Sequence, residues 1–195
     1  MSVPTRMNAV GFTESLPIDE ENSLFSFTLL VPSVSENDIL VRLVATSINP
    51  ADAKNRALSA VEKPHQQPLI LGYDAVGIIE SIGKNVTGFA IGDKVYYAGD
   101  VTRAGANAEF QVIDYRIAAH APASQTDAQA AVMPLVSLTA YEALFDRLRV
   151  SRKEKLAGHR RRRRCGVDCH STGQAAHKLN RYRHGFSPRN EQVGA

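Results

Sequence analysis

Few side chains in this sequence are of a type and spacing that could do chemistry. Tyr73 and Asp74 stand together at the head of an apolar run, where the Tyr73 phenol could orient a substrate carbonyl; the plainer reading is a half-buried tyrosine at a strand end. His65 and His120 are lone histidines in loop-like surroundings and read as solvated. Cys165, Cys169 and His170 form a single C-x3-C-H pattern, a weak metal signature without a second pair. The five arginines Arg160 to Arg164 could bind nucleic acid or anionic lipid by charge alone. Both cysteines lie in this last stretch, so no disulfide and no thiolate chemistry is available before residue 165.

The formal net charge of +3 hides an asymmetry. Residues 151–195 carry 12 Lys/Arg against 3 Asp/Glu, whereas residues 1–150 carry 11 against 17. A length of 195 residues fits about one domain, and a hydrophobic fraction of 44% can form a core. No run of about 18 apolar residues is present, so no membrane span is expected, and the N-terminus lacks a basic-then-apolar leader. A cytoplasmic protein is the expectation.

The elements that must position the candidate residues are organised around Leu69 to Val95. Apolar, β-branched runs are broken there by Gly72, Gly77, Gly83, Gly88 and Gly92, a pattern of strands and tight turns. Further strands are predicted at Met7 to Phe12, Leu24 to Val31, Asp38 to Asn49, Lys94 to Ala98, Glu109 to Ile113 and Arg116 to His120. Ile39, Val41 and Leu43 share one face of the third. Short connections between them point to an antiparallel barrel. Pro50 suits the first turn of a helix that follows Asn49. Ser124 with Asp127 reads as a capping-box variant ahead of a second helix, and Leu135 to Leu148 roughly follows a helical face after Pro134.

The order Gly72, Tyr73, Asp74, Ala75, Val76, Gly77, then Gly83, Val86, Phe89, Gly92, Asp93, Val95 resembles the catalytic-domain signature of the medium-chain dehydrogenases/reductases. Within that superfamily it is similar to the quinone oxidoreductase and zinc-type alcohol dehydrogenase-like branch, and the resemblance runs from Met7 to Val150. It implies a mainly β fold with helices: a GroES-like barrel over residues 1–123, crossover helices over residues 124–150, and no Rossmann domain thereafter. It also implies that Asn49 sits near nicotinamide and substrate, that Asp52 and Arg56 hold the cleft wall, and that Thr139 falls where relatives contact the dinucleotide. Asn49 and Tyr73 are thus the catalytic candidates, and Asn49 and Thr139 the cofactor candidates. Beside this stand plainer readings: a helix cap with a surface ion pair at residues 49–56, and a packed helix threonine at Thr139.

Metal-dependent relatives place a cysteine where Asn49 stands and a His-Glu pair where Tyr73 and Asp74 stand. An amide and a phenol are poor substitutes at a soft four-coordinate site, so no catalytic zinc is expected. The four-cysteine lobe that holds structural zinc in relatives has no counterpart between Lys94 and Phe110.

Beyond Ser151 the resemblance requires a parallel strand, a glycine-rich turn and a helix for the pyrophosphate. Residues 151–195 show almost no apolar periodicity and read as a disordered basic tail. The genetic code offers an explanation. Synonymous codons can be chosen for His159 to Gly194 that, read one nucleotide later, give a strand end, a GxGxxG-type phosphate loop, an amphipathic helix and a second strand ending in Ser-Arg. This predicts a frameshift between Lys155 and His159, with the arginines as misread glycine codons. By the resemblance, Ser-Arg in place of an acid favours NADP(H) over NAD.

The expected function is that of a fragment of a zinc-independent, NADPH-dependent oxidoreductase acting on a small carbonyl compound or quinone, inactive as this chain. Full-length relatives are often homo-oligomers. The competing class is a small barrel binding module with an arginine-rich arm for nucleic acid.

Overall fold

The computed structural model describes residues 3–150. Among them every strand pair is antiparallel, and the strands form two sheets. The smaller sheet contains β1 (Arg6–Phe12), β2 (Phe25–Leu30) and the two-residue β4 (Leu69–Ile70), in the order β2-β1-β4. The larger is built on β3 (Asp38–Ser47) and β5 (Asp74–Ile82), flanked by β6 (Lys94–Ala98), β7 (Phe110–Asp114) and β8 (Ala118–His120), in the order β7-β3-β5-β6-β8.

β3 carries the core on both faces. Ile39 and Val41 are fully buried and join Ile79, Val95, Tyr97 and Ile113 in the main cluster, with Leu43 packed against it. Leu40, on the opposite face, meets Met7 and Phe110. Val86 and Phe89, from the long connection between β5 and β6, cover the edge of the main cluster. Gly77 sits where β5 presses on β3: a Cβ there would run into the Arg42 carbonyl and the Val41 side chain.

Several boundaries differ from the sequence expectations. β3 stops at Ser47, because Asn49 already caps helix α1 (Pro50–Leu58) with an extended backbone. The strand expected over Arg116 to His120 is reduced to β8. Asp114 accepts from the Arg116 backbone N–H, and that cap bends Tyr115–Ile117 into a 3-10 turn. The cap of α2 (Asp127–Ala131) is Thr126 and not Ser124. Thr126 Oγ1 accepts from the Gln129 backbone while the Gln129 side chain takes the Thr126 N–H, so the box partner is Gln129 rather than Asp127. Gln125 turns back onto the Pro122 carbonyl, which keeps Ser124 in the preceding turn.

The described residues fall into two compact units divided after Leu135. α2 belongs to the first, where Ala130 and Ala131 pack on Val76. α3 (Pro134–Tyr141) begins with Pro134, and the chain from Val136 belongs to the second unit. The helix expected to run to Leu148 is α-helical only to Tyr141 and then widens into a π-helical turn over Glu142–Arg147. In this unit the Tyr141 and Phe145 rings pack at a 47° tilt with centres 4.8 Å apart, and Leu138, Tyr141 and Leu148 each stay about half exposed. No helix among the described residues is long and apolar enough to cross a membrane.

Candidate functional site

The antiparallel register of β3 and β5 sets Ser47 opposite Asp74. Pro50 starts α1 three residues after β3 ends at Ser47, which brings Asn49 and, three residues on, Asp52 to the same end of the sheet. Gly72 and Tyr73 lie in the connection that enters β5. Gly72 has φ +112°, and a Cβ there would meet the Ala106 backbone nitrogen at 2.8 Å, so glycine is required for the chain to pass.

These side chains form a buried network around two carboxylates. Asp74 is fully buried: its Oδ2 accepts from Ser47 Oγ at 2.9 Å and from Asn49 Nδ2 at 2.8 Å, and its Oδ1 accepts from the Leu135 backbone N–H at 2.7 Å. Asp52 takes the Asn49 backbone N–H at 2.7 Å and the Gly72 N–H at 2.9 Å. Asn49 is therefore gripped twice, by side chain and by main chain, and is only 3% exposed. Because a carboxylate only accepts, the Asn49 amide must turn its nitrogen toward Asp74. Burial pushes the Asp74 carboxyl above its ordinary range; the donors from Asn49, Leu135 and Ser47 pull the other way, and nearby Asp52 adds to the push.

The remaining candidates fall in different places. Tyr73 is half buried, and its phenol oxygen accepts from Asn55 Nδ2 at 3.3 Å, so α1 holds it as well. Arg56 reaches from α1 to the Leu16 carbonyl at 2.8 Å. Asp52 and Arg56 thus tie α1 to two different loops, in place of the surface ion pair that their spacing allows. Thr139 is exposed on α3, in the second unit. His65 is half buried, packs edge-on against Phe12 and lies 3.3 Å from Ser59 Oγ, in place of the solvated histidine expected; His120 stays exposed, as expected, while its ring tilts against Phe89 and its Nε2 lies 3.2 Å from the Gly88 carbonyl. Arg160 to Arg164, Cys165, Cys169, His170 and the proposed frameshift lie outside the described residues.

Sequence reasoning weighed Asp74 but missed its place at the centre of the network, and missed Ser47 altogether. A signal was present: Asp74 is the single charged residue in the stretch Leu69 to Ile79, which otherwise reads as core.

Residues 35–126 match the family model of the alcohol dehydrogenase GroES-like domain. A zinc-type alcohol dehydrogenase-like protein of Staphylococcus epidermidis is 40% identical over 147 residues, covering 75% of this chain and 43% of that protein. A 2-methylene-furan-3-one reductase of Solanum lycopersicum is 31% identical over 154 residues, covering 74% and 38% respectively. The crystal structure of Escherichia coli quinone oxidoreductase complexed with NADPH has the same fold, with a TM-score of 0.64 at 22% identity over 89% of this chain and 51% of that one. The chain spans less than half the length of the curated relatives it matches. With a GroES-like domain at residues 35–126 and relatives of this kind, the chain belongs to the medium-chain dehydrogenase/reductase superfamily.

Proposed function

We propose that this chain is the barrel part of an NADPH-dependent, zinc-independent oxidoreductase that delivers hydride to an enone, a quinone or a similar small carbonyl compound. The observation that carries the reading is the Asn49 amide. One of its two N–H groups is spent on Asp74, and the other has no acceptor among the described residues, although Asn49 is almost fully buried. A buried donor without a protein partner is costly, so it calls for an acceptor from outside the chain, a role that a bound ligand can fill. Asn49 would offer this N–H to a carbonyl oxygen of substrate or nicotinamide, with Tyr73 on the same wall and Thr139 as a dinucleotide contact. Bound NADPH supplies the hydride; the chain's own residues orient and desolvate the acceptor.

The residues at the family's zinc positions do not suit a zinc ion. Asn49 presents an amide nitrogen already bonded to a carboxylate, Tyr73 a phenol bonded to Asn55, and both oxygens of Asp74 are taken by N–H and O–H donors. No thiolate precedes residue 165. The reduction of an enone by the tomato relative supports the substrate class, and the NADPH held by the E. coli protein supports the cofactor.

The reading includes the frameshift: residues 151–195 are the wrong frame of the cofactor-binding segment, and this chain as written is inactive. An independent read of the gene across codons 145 to 196 tests it. A lost or gained base that restores the glycine-rich frame is the expected result. A read that leaves the frame as given, together with saturable micromolar binding of NADPH by the 195-residue chain, would overturn it.

A further inference from the structure

We propose that Asp74 is a positioning residue: by accepting from Ser47, Asn49 and Leu135 at once, its carboxylate fixes both the direction of the Asn49 amide and the point at which the chain leaves the barrel. The use of Asn49 by a substrate rests on the reductase reading above; the clamp itself does not.

The three donors come from three separate segments: the last residue of β3, the cap of α1, and the first turn of α3. Among the described residues no cation pairs with Asp74, and the nearby Asp52 carboxylate repels its charge. A fully buried anion without a cation costs several kcal/mol unless its oxygens are well supplied with donors, and here three donors converge on it. Bonds to a charged acceptor are also the stronger and more directional ones. An amide at position 74 would have nearly the same shape, but it could present N–H as well as oxygen to Asn49. The amide of Asn49 would then no longer be held one way round. The carboxylate thus determines where the second N–H of Asn49 points.

The test is nitrogen-15 NMR on the 195-residue chain and on Asp74→Asn. In the unaltered chain one Asn49 side-chain proton and the Leu135 amide are expected to be shifted downfield and protected from exchange. In Asp74→Asn, Leu135 exchange is expected to rise roughly 10- to 100-fold, and the two Asn49 protons to move toward the values of a free side chain, while Ile79 and Val95 keep their protection. A residue needed only for stability would instead raise exchange at Ile79 and Val95 by the same factor, and that result overturns the proposal. If Asp74→Asn does not fold, the unaltered chain still decides: an unprotected Leu135 amide, or free-like Asn49 protons, overturns the clamp. An unprotected Leu135 amide or a general loss of protection leaves the reductase reading standing, whereas free-like Asn49 protons in the unaltered chain would also remove the observation that carries it; turnover tests that reading separately.

Discussion

Asp74 Oδ1 accepts the backbone N–H of Leu135 at 2.7 Å, across 61 residues of sequence. The first residue of β5 thereby holds the segment that follows α2, while its other oxygen holds Ser47 and Asn49. One side chain joins a strand end, a helix cap and the first turn of α3, where a sequence scan shows only an aspartate in an apolar run.

A second buried polar pair, Tyr97 and Gln111, lies in the same sheet. The Tyr97 hydroxyl donates to Gln111 Oε1 at 2.8 Å, and both residues are almost fully buried. Tyr97→Phe keeps the ring but strands the Gln111 oxygen, so a loss of about 1 to 3 kcal/mol is expected. Urea unfolding followed by circular dichroism measures it; an unchanged midpoint would mean that the pair contributes nothing.

Acid stability has a local handle in Asp114. Hydrogen bonds from the Arg116 side chain, and then from its backbone, lower the Asp114 carboxyl from 3.8 to about 2. A carboxyl whose folded value lies below its unfolded one adds stability above pH 3.8 and loses it as pH falls toward about 2. Asp114→Asn is expected to flatten that part of the acid-unfolding curve relative to the unaltered chain. Identical curves below pH 4 would contradict it. Asp74 has the opposite sign: its raised value makes the fold more stable as it takes up a proton, so it works against acid unfolding.

Leu138 and Tyr141 lie one turn apart on α3, Leu148 follows the π-helical turn, and each is about half exposed. An apolar strip of this kind drives association. Light scattering is expected to show mass rising with concentration, and Leu138→Lys with Leu148→Lys to suppress the rise. A monodisperse unaltered chain at high concentration would contradict this.

Much of the fold was legible because its strands are short, β-branched and punctuated by glycine and proline. β6 was read at Lys94 to Ala98, where the structure has it, and the shared face of Ile39, Val41 and Leu43 is the one that enters the main core. The errors lie where local hydrogen bonds compete. Ser124 and Thr126 are both good caps with a plausible partner three residues on, and the turn closed by Gln125 on Pro122 decides for Thr126. Asp114 likewise delays the last strand to Ala118 by capping a turn over Tyr115–Ile117. The site was legible in part. Asn49 and Asp52 could be named only through the family resemblance, and Tyr73 from its place at a strand end, whereas the bonds of Asp74 to Ser47 and Leu135 depend on strand register and on a contact 61 residues away.

The central claim is tested most directly by turnover of the frame-restored protein. That protein, freed of metal by exhaustive chelation, would be mixed with NADPH and a small enone, and NADPH oxidation followed by absorbance. The account predicts turnover that chelation leaves unchanged and that Asn49→Ala lowers by about 100- to 1000-fold, the loss expected for one hydrogen bond made to a developing oxyanion. Absence of turnover, or turnover that chelation abolishes and added zinc restores, would contradict it.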